Sequence, residues 1–134
     1  MSITIHKDSE GNPNGVRVNE MGEDFLIDLK DSYDGEEVTF NQANSGQLPD
    51  SPMVMLLYHF GQEINEKLKE AGGSPLKGWY WSKTPAEIIL GEGTSGRLIF
   101  KSSGATFNVN YNYEFFLCTA KKRKFTDLRK DEEE

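Results

Sequence analysis

The sequence predicts an α+β fold, and three observations carry that prediction. Apolar residues alternate with polar ones near both ends of the chain, at the period of half-buried strands. Between those ends, residues 51–71 place apolar side chains at helical spacing. The 13 glycines fall among short apolar runs, a composition that favours turns and strands over a helical bundle. At 134 residues the chain supports one core and not two, so a single domain over residues 1–125 with a charged flexible tail over 126–134 is expected.

Each element has a local cause. Ile3 and Ile5 alternate with polar neighbours, residues 8–15 supply the Gly, Asn and Pro of a turn, and Val16 and Val18 resume the alternation, which reads as a hairpin. Phe25, Ile27 and Leu29 repeat with period two and give a third strand, followed by the loop DSYDGEE. Residues 39–43 suit a brief helical turn. Ser51 and Pro52 read as the cap and first position of the main helix. Met53, Leu56, Leu57, Phe60, Ile64, Leu68 and Ala71 then share one side, Glu63 faces Lys67 on the wet side, and Gly61 is the place for a kink. Gly72 and Gly73 end the helix, and Pro75 keeps it from resuming.

The segment after the helix, GWYWS, places Trp79 and Trp81 on one side of an extended stretch and Tyr80 on the other. Residues 97–101 and 106–113 read as the arms of a C-terminal β-hairpin, with Phe107, Val109, Tyr111 and Tyr113 on one face and Asn108, Asn110 and Asn112 on the other. The run KKRK over residues 121–124 reads as a solubilising end.

Composition excludes several classes of function. A net charge of −7 repels phosphate, so nucleic acid is not an expected partner. Neither a signal peptide nor a run of roughly 18 apolar residues is present, so no membrane partner is expected and a cytoplasmic or virion-associated location is. The single cysteine, Cys118, sits in the apolar run FFLCTA and reads as a buried thiol. His6 and His59 form no metal-binding pair, GEGTSG lacks the lysine and spacing of a phosphate loop, and Ser82 has no base beside it. No cofactor, metal or catalytic centre is expected.

The helix ending Ala71-Gly72-Gly73, the entry Leu48-Pro49-Asp50, the segment Tyr80-Trp81-Ser82-Lys83-Thr84 and the terminal strand pair occur in an order that resembles the bacterial and phage lectin-like domains of unknown function. The likeness runs over residues 38–122. It implies a C-type-lectin-like fold with N-terminal strands, one long or kinked helix and a C-terminal β-hairpin, used as a scaffold that displays a ligand site. The expected ligand is a carbohydrate or a protein surface, and the alternative role is a structural or assembly component of a phage or mobile element.

Candidate contacts follow from side-chain chemistry. Asparagine is disfavoured in strands, so Asn108, Asn110 and Asn112 on one face suit a ligand-facing row whose amides both donate and accept, or else a solvated outer face. Glu87, Glu92 and Arg97 flank the glycine-rich connection where such a fold displays contacts. Trp79 and Trp81 serve as core anchors or as a stacking platform for a sugar.

Overall fold

The computed structural model describes residues 2–43, 47–84, 86–89, 97–101 and 119–129. They form an α+β domain. Strands β1 (Ser2–Lys7), β2 (Pro13–Glu20) and β3 (Glu23–Asp28) make an antiparallel meander. The pairs Ile3↔Val18, Val18↔Phe25 and Val16↔Ile27 set these five side chains, all buried, on the inner face. The period-two pattern is therefore also the register, because a slip of one residue would turn this whole set to water.

After β3 the loop predicted from DSYDGEE takes a specific form. Tyr33 (φ 58°) and Asp34 (φ 56°) both lie in the left-handed region within a single turn over Ser32–Gly35, a conformation that costs non-glycine residues roughly 1–2 kcal/mol each. The turn is held at three points. Ser32 N–H donates to the Lys122 carbonyl at 2.7 Å, Glu36 N–H to the Tyr33 carbonyl at 3.0 Å, and the Tyr33 hydroxyl to the Gln42 carbonyl at 2.9 Å. Strand β4 (Val38–Thr39) and the short helix α1 (Phe40–Ala43) follow. The Gln42 side-chain oxygen accepts from both the N–H and the hydroxyl of Thr39.

Helix α2 spans Ser51–Glu70 without interruption, and Gly61, the expected kink, is buried inside it. The cap is Asp50 and not Ser51: the Asp50 carboxylate accepts from Met53 N–H at 3.1 Å, and Pro52 occupies the first turn. The start thus falls one residue earlier than predicted, since carboxylate and hydroxyl are near-equal caps and local sequence does not rank them. Met53, Leu56, Leu57, Ile64 and Leu68 form the buried stripe as the spacing requires, joined by Val54. Lys67 meets Glu70, 3.8 Å away, rather than Glu63.

The helix ends in a Schellman arrangement. Gly73 N–H donates to the Leu68 carbonyl at 2.8 Å and Gly72 N–H to the Lys69 carbonyl at 3.0 Å, with Gly72 left-handed at φ 86°. Gly73 is needed for a second reason: a Cβ there would overlap the Leu29 carbonyl, to which the next residue, Ser74, donates its N–H. Asn65 then pins the outgoing chain, its amide both donating to and accepting from the backbone of Leu76.

Strands β5 (Gly78–Trp81), β6 (Ala86–Ile89) and β7 (Arg97–Lys101) form a second sheet in the order β5-β7-β6, with β5 parallel and β6 antiparallel to the central strand. The first arm of the predicted terminal hairpin is β7. The second arm, residues 106–113, lies outside the described residues, as does Cys118. Alternation on β5 works as expected and serves two cores. Tyr80 enters the main core with Leu98, Phe100, Ile88 and the α2 stripe, while Trp81, with Trp79 against it, enters a smaller one with Val38, Ala43, Leu48 and Ala120. Trp81 is 5% exposed, donates its indole N–H to the Val38 carbonyl at 2.7 Å and meets Phe40 edge-on.

The C-terminal segment is the largest departure from the sequence reading. Strand β8 (Thr119–Ala120) pairs with β4, and β9 (Phe125–Asp127) pairs with β3, closing the first sheet in the order β1-β2-β3-β9. The tail boundary expected at residue 126 falls inside β9. Phe125 explains the docking, since it is buried and stacks on Phe25 with centroids 5.8 Å apart. Within the supposed solubilising run, Lys122 and Arg123 are both buried, and desolvation lowers the Lys122 pKa, with Lys124 adding to the effect.

Arg123 is 1% exposed, and each of its three guanidinium nitrogens donates at least one hydrogen bond. Nε donates to Asp31 Oδ1 at 2.8 Å, and Nη2 lies 2.8 Å from both that oxygen and the Ser74 hydroxyl. Nη1 donates to the Ser74 carbonyl at 2.6 Å and the Asp28 carbonyl at 3.4 Å. Asp31 also accepts from the Tyr80 hydroxyl at 2.9 Å, which in turn accepts from Lys77 N–H, and Lys121 approaches it at 3.7 Å. Burial, the main cause, raises the Tyr80 pKa well above its ordinary value, so the phenol stays a donor.

Replacing Arg123 by Met leaves Asp31 without its fork and is expected to cost about 3–5 kcal/mol, read as a lower urea midpoint with an unchanged slope. Arg123→Lys is also expected to destabilise, because an ammonium cannot span Asp31 and Ser74 together. A second expectation concerns acid. The Arg17 guanidinium grips Asp24 through Nε at 2.8 Å and Nη2 at 2.6 Å, and this hydrogen bonding lowers the carboxyl pKa below its usual 3.8 despite partial burial. The stability it contributes is present above the unfolded value and is lost as pH falls through the lowered folded value. Arg17→Ala is expected to flatten that part of the acid unfolding profile, while an unaltered profile would mean the pair contributes nothing.

Candidate functional site

A groove of about 190 Å³ runs between the first turns of α2 and the leading end of β6. One wall is Ser51, Val54, Met55 and Tyr58, which the helix repeat brings to one side; the other is Thr84, Glu87 and Ile88. Val54 and Ile88 are core residues and form the floor. Met55 and Tyr58 stand on the rim at 55% and 64% exposure, two large apolar side chains held outward by a helix whose opposite stripe is fully occupied. His59 meets the Tyr58 ring edge-on at 5.4 Å and so restrains it. Ser51, Thr84 and Glu87 complete the lining.

The structure places the predicted contacts in different situations. Glu87 is exposed and lines the groove. Trp79 and Glu87 both stand opposite Ile99 of β7, so the three share one cross-strand row on the face turned away from Tyr80, Leu98 and Phe100. Trp79 is half-buried there and leans on the smaller core, which favours its anchoring role. Arg97 pairs through its backbone with Ile89, at the far end of the same two strands. Asn108, Asn110, Asn112 and Glu92 lie outside the described residues.

Tyr58 and Met55 are the residues that the sequence reading did not single out. The available signal was their position three residues apart and off the apolar stripe, since a large apolar side chain on the wet side of a helix is the informative case. Groups of three or more residues of metal-binding type are absent among the described residues, and none of the described helices is long and apolar enough to cross a membrane. No protein family, curated protein or solved structure matches the chain.

If the rim residues are displayed rather than packed, truncating them has little effect on folding. Met55→Ser and Tyr58→Ser are each expected to change stability by no more than about 0.5 kcal/mol, against about 2–5 kcal/mol for Leu57→Ala on the buried stripe. Thermal unfolding of the three variants checks this, and a large loss at Tyr58 would reassign it to the core.

Proposed function

We propose that this chain is a non-catalytic binding or display module, a C-type-lectin-like scaffold whose ligand is a carbohydrate or a protein surface. The observation that carries the reading is the groove between α2 and β6, where an exposed tyrosine and methionine stand beside the polar residues Ser51, Thr84 and Glu87. An aromatic face offers apolar contact to a sugar ring or an apolar side chain, and the polar groups around it fix orientation. Rigid elements hold both walls, as a preformed binding site requires. Glu87, expected from sequence to face ligand, belongs to this groove.

A second reading, a structural or assembly component, draws on β1, which among the described residues is an edge strand of the four-stranded sheet. A strand edge offers backbone groups to another chain. Light scattering separates the readings, since an assembly part forms oligomers of defined size as concentration rises.

The binding reading is tested by presenting the chain to glycan and protein arrays beside two variants. Tyr58→Ala is expected to reduce capture at least about tenfold, the scale of a lost aromatic hot spot, with thermal unfolding nearly unchanged. The triple replacement of Asn108, Asn110 and Asn112 by alanine asks whether that row contributes. Full capture by both variants would rule out the groove and the row alike.

A further inference from the structure

We infer that the cleft where β9 meets the first turn of α2 binds a small zwitterion of the α-amino-acid class. The cleft has a volume of about 200 Å³, below the roughly 300–1,000 Å³ typical of pockets for drug-sized ligands, so its occupant is small. Three charged residues line it: Asp50 at the helix start, Asp127 on β9, and Lys83 from the loop after β5. Thr126 and Gln47 add a hydroxyl and an amide, held together by a 3.3 Å hydrogen bond, and Met53 contributes apolar surface.

The backbone fixes all three charged positions. Lys83 N–H donates to the Pro49 carbonyl at 2.8 Å, Asp127 belongs to a paired strand, and Asp50 caps α2. No ion pair joins Lys83 to either carboxylate among the described residues; Asp127 is instead paired with Arg129 at 3.6 Å, whose charge also interacts with Asp50, so Lys83 is a cation of the cleft that the acids do not engage. The Asp50 bond to Met53 uses Oδ1, and the Asp127 contacts with the Arg129 N–H and guanidinium also use Oδ1.

A cleft lined by both signs discriminates by charge pattern. A simple anion meets Lys83 but also two carboxylates, and a simple cation meets the carboxylates but also Lys83. A ligand carrying an ammonium at one end and a carboxylate at the other sets each charge against its opposite, and two charge-assisted contacts fix its orientation. This site shares no lining residue with the groove between α2 and β6.

The test is calorimetry and ligand-observed NMR on the full chain at low salt, using a panel of free amino acids beside their N-acetyl and C-terminal amide forms. Free amino acids are expected to bind, and each blocked form to bind about tenfold more weakly, the loss of one charge-assisted hydrogen bond. Lys83→Ala, a change at an exposed side chain, is expected to weaken the free amino acids by a similar factor and leave thermal unfolding unchanged. If no free amino acid binds, if blocked forms bind equally well, or if Lys83→Ala binds as the parent does, the inference is overturned.

Discussion

The buried ion pair between Asp31 and Arg123 is the constraint on which the rest of the structure depends. It joins the end of the N-terminal meander to a segment 92 residues later and draws in Ser74 from the loop after α2 and Tyr80 from β5. Four parts of the chain meet around this one ion pair, Ser74 on the guanidinium and Tyr80 on the carboxylate. Desolvating two charges carries a cost that attraction alone does not offset, so such a pair persists only where each donor and acceptor is satisfied. Here all three guanidinium nitrogens donate hydrogen bonds, and no buried side-chain polar atom among the described residues lacks a partner. The network ties the four segments to one another through shared hydrogen bonds.

The left-handed turn at Tyr33 and Asp34 becomes intelligible beside this network. Two non-glycine residues in that conformation are strained, and Asp31 stands immediately before the turn. Fixing Asp31 to Arg123 and Ser32 to the Lys122 carbonyl leaves the chain little room to reach β4, and the tight turn is how it does so. Strand β4 then meets β8, which lies just ahead of the same basic run. Local strain is thus sustained by long-range contacts, as expected where a surrounding structure over-determines a turn.

Strand β5 divides the interior. Its alternation sends Tyr80 to the large core beneath α2 and the two tryptophans to the smaller core against β4 and α1. Each core is anchored by a polar tip, the Tyr80 hydroxyl on Asp31 and the Trp81 indole on the Val38 carbonyl. With its buried stripe committed to the large core, α2 leaves its first turns bordering two small openings on different sides, the groove beside β6 and the cleft beside β9. The proposed binding roles sit there because a rigid helix start presents side chains at fixed positions.

Periodicity made much of the fold legible in the residues themselves. The meander, the buried stripe of α2, the glycine-closed helix end and the two-sided β5 all follow from spacings within about 20 residues, where backbone geometry dictates which side chains share a face. The cap at Asp50 instead of Ser51 and the unbroken helix at Gly61 were not legible, since local preference is nearly even there and packing decides. The groove was half-legible: Glu87 was expected, but Tyr58 gains meaning only from the strand that packs beside its helix. Least legible was the basic run. By itself the sequence determined the meander β1 to β3, the helix α2, the extended β5 and β7, and which of their faces are apolar, but not the short strands β4, β6, β8 and β9. Only the tertiary structure decided that Arg123 lies in the interior, because burying a guanidinium depends on acceptors supplied from residues 28, 31 and 74, a coincidence in space that no local pattern encodes.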